Sequence, residues 1–213
     1  MTSPPSYFVI AAAILLAYLI GSVPFGYLFV NFSFGKDVRT MGSGNIGATN
    51  VYRSAGKKAG VIVLLLDIGK GFVAVWLAAV ITHNHPFAVP LAAAAVMIGH
   101  SYPALLRFRG GKAVACFVGA FLYLAPLALA VSLLIFVAVV ALTKYVSLGS
   151  IVAALAFPFA AWGLEHASPQ LLVVSGFAAL LIVYRHKANI SRLMNHQETV
   201  FSLRTGSRNE DSL

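Results

Sequence analysis

Long blocks of apolar residues run along most of the chain, separated by short clusters rich in glycine, asparagine, histidine and basic side chains. The blocks cover about residues 7–30, 60–81, 87–99, 113–142, 146–164 and 170–184. A helix that crosses a bilayer needs about 20 apolar residues, so the pattern predicts an all-α integral membrane protein. Block 7–30 is too long for a signal-peptide core and has no basic segment before it, so it reads as a retained first helix. The block at 113–142 decides the count. As one helix it would be about 45 Å long against a hydrocarbon core of about 30 Å, and Pro126 divides it. Two helices, 113–124 and 126–142, are therefore expected, the first of them short enough to require a thinned bilayer, an upright pose or shielding by neighbours.

Charge supports that division. Lys36, Arg39, Arg53, Lys57 and Lys58 follow the first block, Arg107, Arg109 and Lys112 the third, Lys144 the divided one, and Arg185, Lys187, Arg192, Arg204 and Arg208 the last. With seven spans all of these fall on one side, and 82–86 and 165–168, which lack Lys and Arg, on the other. The positive-inside rule then predicts a seven-transmembrane-helix bundle with its N-terminus outside and its C-terminus in the cytoplasm.

Composition narrows the class. Of 213 residues 60% are hydrophobic and 10% charged, where soluble domains carry about 45–50% and about 25%. One membrane-embedded domain, 1–213, is expected, with a poorly ordered polar tail at 197–213. The net charge of +9 fits either nucleic-acid binding or basic cytoplasmic loops. The apolar blocks favour the loops, and no nucleic-acid partner is expected. Cys116 is the single cysteine, which leaves no disulfide framework or thiolate metal site.

The clusters between blocks carry the candidate chemistry. Residues 41–50 read MGSGNIGATN, with Arg53 one turn on. Gly42, Gly44 and Gly47 leave backbone amides unobstructed, and Ser43, Asn45, Thr49 and Asn50 add hydrogen-bonding groups, the composition of an anion cradle suited to phosphate. The match of this run to GxGxxG is chance, since no strand precedes it. Residues 99–112 read GHSYPALLRFRGGK. Gly110, Gly111 and Lys112 place helix N-terminal amides beside an ammonium, a second anion site, while His100 reads as a structural group more readily than as a base. Asp67 and Lys70 share a helix face deep in an apolar block. They are expected to face the interior, as a structural pair or a substrate contact, with Arg53 as another partner for Asp67. In RHKANISRL, His186 and Asn189 can look together into the bundle while Arg185 and Arg192 face the headgroups.

Several of these motifs in one order resemble a known family. GSGNIGATN, LDIGKG, GHSYP with FRGGKAVA, KYVSLGS and YRHKANISRL look like the bacterial membrane acyl-phosphate:glycerol-3-phosphate acyltransferases of the PlsY type, over about residues 21–198. The resemblance implies an inner-membrane enzyme with its active site on cytoplasmic loops. It implies transfer of a fatty acyl group from acyl-phosphate to glycerol 3-phosphate, giving lysophosphatidic acid and phosphate, and a soluble phosphate acyltransferase that supplies acyl-phosphate. Carried over by position, Ser43 and Arg53 match the first motif's essential polar pair. His100 and Gly110 to Lys112 match a glycerol 3-phosphate loop, and His186, Asn189 and Glu198 match the third motif. Ser147 and Ser150 match a further segment, and His196 stands where the family usually has glycine. The expected catalytic set is Ser43, Arg53, Lys112, His186 and Asn189, with Asp67, Lys70 and Glu198 as polar support and no metal or cofactor. Direct transfer without an acyl-enzyme is expected, the base being His100, His186 or, preferably, the substrate's own phosphate. A transporter of phosphorylated metabolites is the alternative, though the bare noncytoplasmic side and the lack of a repeat speak against it.

Overall fold

The computed structural model describes residues 4–201, and the described residues form helices and turns only. The helices are α1 (Tyr7–Gly21), α2 (Phe25–Phe34), α3 (Ala48–Ala55), α4 (Lys57–Ile81), α5 (Ala88–Ser101), α6 (Val114–Leu124), α7 (Pro126–Thr143), α8 (Val146–Glu165), α9 (Pro169–Arg185) and α10 (Lys187–Met194). The alanine-rich α5 lies in the middle, touching α1, α4, α6 and α9, while α4 packs on α6 and α7 on α8. Its residues Ala92 to Met97 are all buried, because small side chains let several helices approach one axis. Phe117, Phe121 and Phe157 complete the core with ring centroids 4.5–4.9 Å apart.

The expected seven spans are not found. By length and apolarity five helical segments can cross a membrane, or six if α9 and α10, bent by 58°, count as one. Pro126 does divide block 113–142, standing at the first position of α7. The resulting α6 has only 11 residues, about 16 Å of helix against a core of about 30 Å. The expectation of an outside N-terminus and a cytoplasmic tail rested on the seven-span count, which these spans do not support. Block 7–30 is also not one helix. It breaks between α1 and α2, where Pro24 brings no N–H. The Val23 carbonyl at this break accepts from Lys70 Nζ at 2.8 Å, which ties the break to α4.

Two ends of the bundle differ in charge. At one end Tyr123 donates to Asn84 Oδ1 at 3.5 Å and the Ala128 amide to Glu165 Oε1 at 2.8 Å; segments 82–86, 123–128 and 165–168 there carry no Lys or Arg. The other end gathers the loops at 36–58, 107–113 and 144–147 with α10 and residues 195–201. There the Phe201 amide donates to the Lys144 carbonyl at 2.8 Å and the Phe201 ring meets Tyr52. The tail expected to be poorly ordered from 197 on is packed as far as Phe201. Arg204, Arg208 and the remainder of that tail lie outside the described residues.

Close helix approach rests on glycine at the α4–α6 contact. A Cβ on Gly119 would collide with the Ile68 carbonyl, and one on Gly71 with the Cys116 carbonyl. Gly119→Val is expected to lower the thermal midpoint in detergent by about 2–12 °C, as overpacking by about 1–3 kcal/mol does in a chain of this length. Gly69→Ala, with open space around it, should leave the midpoint in place. Equal midpoints for Gly119→Val and wild type would contradict this account of the contact.

Candidate active site

Loop 107–113 returns from the end of α5 to α6 through left-handed backbone at Arg107, Phe108 and Ala113. The Gly110 amide donates to the Ser101 carbonyl (3.1 Å) and the Gly111 amide to the His100 carbonyl (3.0 Å). A side chain cannot fit here, since a Cβ on Gly111 would run into the His100 ring and one on Gly110 into the His100 carbonyl. Both glycines are therefore needed to lay the loop on α5, and their amides are used in doing so. The composition predicts these amides to be free for an anion, and the structure instead commits both to α5. The charge that remains available is the Lys112 ammonium, whose Nζ donates to Asn189 Oδ1 at 2.5 Å.

Asn189 in turn donates to Glu198 Oε1 (2.8 Å), as does Ser147 Oγ (3.0 Å), and Arg192 Nε donates to Glu198 Oε2 (2.8 Å). Glu198 thus joins α8, α10 and the segment after α10 around one buried carboxylate. Burial works to raise its pKa, yet the hydrogen bonds from Asn189, Arg192 and Ser147 together hold it below the usual value. Lys112 moves further: burial, opposed by Glu198 and aided by Arg192, Arg53 and Arg185, brings its ammonium down to about 8. Four cations around one carboxylate leave a local excess of positive charge, an electrostatic fit for an anionic substrate. His186, buried within this field, has Nδ1 2.8 Å from the Ile182 carbonyl. A carbonyl only accepts, so Nδ1 carries the proton and Nε2 is left as the acceptor.

The first loop is held by Asn50. Its Oδ1 accepts from the Ser43 amide at 2.8 Å, and its Nδ2 donates to the carbonyls of Asn45 (2.8 Å), Met41 (3.0 Å) and Val38 (3.3 Å). Asn45 Oδ1 takes the Gly47 amide at 2.8 Å, and the Gly44 amide goes to the Met41 carbonyl at 2.9 Å. Gly42 and Gly44 adopt the positive φ that this turn requires. The expected cradle of free amides is thus largely closed on itself, and the hydroxyls of Ser43 and Thr49 are what the loop leaves exposed. Arg53, exposed on α3, lies in the field of Glu198 and Arg192.

Under the loop at 110–112 lies a buried charge cluster. Lys70 Nζ is 2.8 Å and His100 Nδ1 3.6 Å from Asp67 Oδ1. Asp67 therefore pairs with Lys70, as its spacing predicts, and with His100 rather than with Arg53. The His100 ring is enclosed between Asp67 and Gly111. Ser150 instead turns its hydroxyl back to the Val146 carbonyl at 2.9 Å.

Two residues were misread from the sequence. Arg185 does not face headgroups: its Nε donates to the Gly111 carbonyl (3.0 Å), its Nη2 to that of Gly110 (2.8 Å), and its guanidinium lies 4.9 Å from the Tyr102 ring centroid. Arg192 likewise turns inward to Glu198. The spacing of Asn189 and Arg192 at i and i+3 puts those two on one face of α10, a signal present in the sequence, while Arg185 stands on α9 beyond the bend.

Comparison with known proteins shows the family. The glycerol-3-phosphate acyltransferase family model matches residues 11–196. The chain is 46% identical over 188 residues to the glycerol-3-phosphate acyltransferase of Syntrophotalea carbinolica, covering 88% of this chain and 95% of that one. With the same-named enzyme of Desulforamulus reducens it is 47% identical, covering 87% and 92%. Its fold is similar to crystal structures of PlsY (YgiH), an integral membrane glycerol 3-phosphate acyltransferase. The glycerol 3-phosphate form matches at a TM-score of 0.86 with 34% identity, covering 91% of this chain and 96% of that one. The lysophosphatidic acid form matches at 0.83 with 33% identity, covering 91% and 95%. With its motifs assembled at one basic end of a helical membrane bundle, this chain belongs to the glycerol-3-phosphate acyltransferase family.

Proposed function

We propose that this protein is a multi-pass enzyme of the bacterial inner membrane that transfers a fatty acyl group from acyl-phosphate to the sn-1 hydroxyl of glycerol 3-phosphate. The products are 1-acyl-glycerol 3-phosphate and phosphate. The observation that carries the reading is the network joining Lys112, Asn189, Glu198 and Ser147, with Arg53, Arg185 and Arg192 around it. It concentrates positive charge where two phosphorylated substrates must meet. The whole chain acts as one membrane-embedded domain. Its site faces the cytoplasm, because the end that carries the site also carries the basic loops, while the opposite end has segments without Lys or Arg.

Acyl-phosphate is a mixed anhydride with a good leaving group, so the protein has to orient an alcohol and stabilise charge. Lys112 and Arg53 hold phosphate oxygens, with Asn189 setting the ammonium and the Ser43 and Thr49 hydroxyls donating from the exposed turn. Ser43 is fixed through its backbone by Asn50, and among the described residues no base accepts from its hydroxyl, which suits hydrogen bonding to a substrate oxygen and not covalent attack. Transfer is direct. The phosphate of glycerol 3-phosphate, with a second pKa of about 6, takes the hydroxyl proton as the oxygen attacks the acyl carbon and phosphate leaves, and His186 Nε2 accepts a hydrogen bond from the P–OH so formed. A soluble acyl-phosphate-producing phosphate acyltransferase supplies the donor from the cytoplasmic side.

Purified protein in detergent, given radiolabelled glycerol 3-phosphate with palmitoyl-phosphate, palmitoyl-CoA or palmitoyl-acyl-carrier protein, tests the reading. Lysophosphatidic acid is expected from palmitoyl-phosphate alone. Product from the thioesters at an equal rate, or none from any donor with folded protein, would overturn it.

A further inference from the structure

Lys112 is fixed at both ends by one stretch of chain. Its ammonium meets Asn189, on α10. The two peptide carbonyls just before it, of Gly110 and Gly111, accept from Nη2 and Nε of Arg185, the last residue of α9. These contacts cross 74 to 77 positions of sequence and lie on the two sides of the 58° bend between α9 and α10. The guanidinium is itself placed by Tyr102, whose ring it covers at 4.9 Å and whose carbonyl accepts from Tyr18 at 3.0 Å. Glycine supplies no side chain with which the loop could anchor itself, and Lys112 is followed by a left-handed Ala113. The loop donates its amide hydrogens to carbonyls at the end of α5 on one side and accepts from Arg185 on the other.

We propose that Arg185 is a positioning residue for the acyl transfer: by holding the Gly110 and Gly111 carbonyls it sets the backbone from which Lys112 reaches the reacting phosphate. A planar fork with two donors can bond two successive carbonyls while stacking on an aromatic ring. A lysine ammonium, a point charge on a flexible stem, cannot do all three. The inference rests on the assignment of Lys112 to phosphate binding, and the test separates the two.

Steady-state kinetics with acyl-phosphate and glycerol 3-phosphate would be measured for Arg185→Ala, Arg185→Lys, Lys112→Ala and the Arg185→Ala/Lys112→Ala double variant, with detergent thermal midpoints alongside. Displacing a binding group by about 1 Å can cost about 10²-fold, so Arg185→Ala is expected to lose about 10²-fold in kcat/KM and Arg185→Lys about tenfold. In the Lys112→Ala background the same Arg185→Ala change is expected to cost less than about twofold, because residues that act through one group are non-additive. Full additivity, or Arg185→Ala within about twofold of wild type, overturns the proposal while leaving the Lys112 assignment intact. Undiminished activity of Lys112→Ala overturns that assignment and this inference together. If Arg185→Ala does not fold, Arg185→Lys replaces it in the cycle, where an additive loss counts against the proposal in the same way.

Discussion

Lys112→Ala is expected to lower kcat/KM for acyl transfer by about 10³-fold, the upper range for removing one electrostatic donor from a preorganised site. The loss should exceed that of any neutral neighbour because Lys112 is a half-buried cation held by Asn189 at 2.5 Å and aimed at the region where phosphate charge must be met. Its titration supplies a second, independent readout. Burial, opposed by Glu198 and aided by the nearby arginines, brings the ammonium down to about 8. The charged form binds phosphate, so it persists below that value and is lost as pH rises through it. In the free enzyme, kcat/KM should therefore fall on the alkaline side from about pH 8. Lys112→Arg, which stays charged throughout, should retain part of the activity and carry no such limb. Measuring kcat/KM from pH 6.5 to 9.5 decides the matter; a wild-type profile that stays level across that range would contradict the assignment.

Much of this arrangement can be read from residue order, and the failures have identifiable causes. Apolar blocks locate helices because lipid-facing and core-facing positions are both apolar, and the Asp67–Lys70 pair follows from i, i+3 geometry. Block lengths do not report where a helix stops being straight. Pro24 breaks the first block, a bend of 58° at His186 sets the last one off from α10, and α6 has only 11 residues although the distribution of charge calls for a span there. Arg185 was missed because arginine at the end of a span has an ordinary interfacial role, and only tertiary structure shows the Gly110 and Gly111 carbonyls within its reach. The glycine-rich loops misled in the opposite sense. Their composition suggests free amides, but Asn50 and the end of α5 take up several of them, so the anion-binding capacity lies in side-chain cations and hydroxyls.

Glu198 shows most sharply where composition fails, since it sits in a stretch expected to be poorly ordered and yet it connects three parts of the site. Glu198→Ala would remove the acceptor shared by Asn189 and Ser147 and the partner of Arg192. Asn189 would then be free to turn away from Lys112, and Lys112, Arg53, Arg185 and Arg192 would face one another without the carboxylate between them. Two effects should appear together: a fall in activity of about 10³-fold, as expected when a group orienting several donors is lost, and a lower thermal midpoint. Glu198→Gln separates them, because an amide keeps an oxygen for Ser147 and Asn189 but cannot balance the cations; its midpoint should stay nearer to wild type than its activity. The pH dependence has a definite sign. Although burial pushes the Glu198 carboxyl upward, its three hydrogen-bond donors hold the folded value below the usual 4.5. Its contribution to stability is therefore complete above about pH 4.5 and is lost as pH falls through the lower, folded value. Thermal midpoints measured from pH 7 to pH 3 should drop more steeply for wild type than for Glu198→Gln. Parallel curves would mean that the carboxylate's charge does not hold this end of the bundle together.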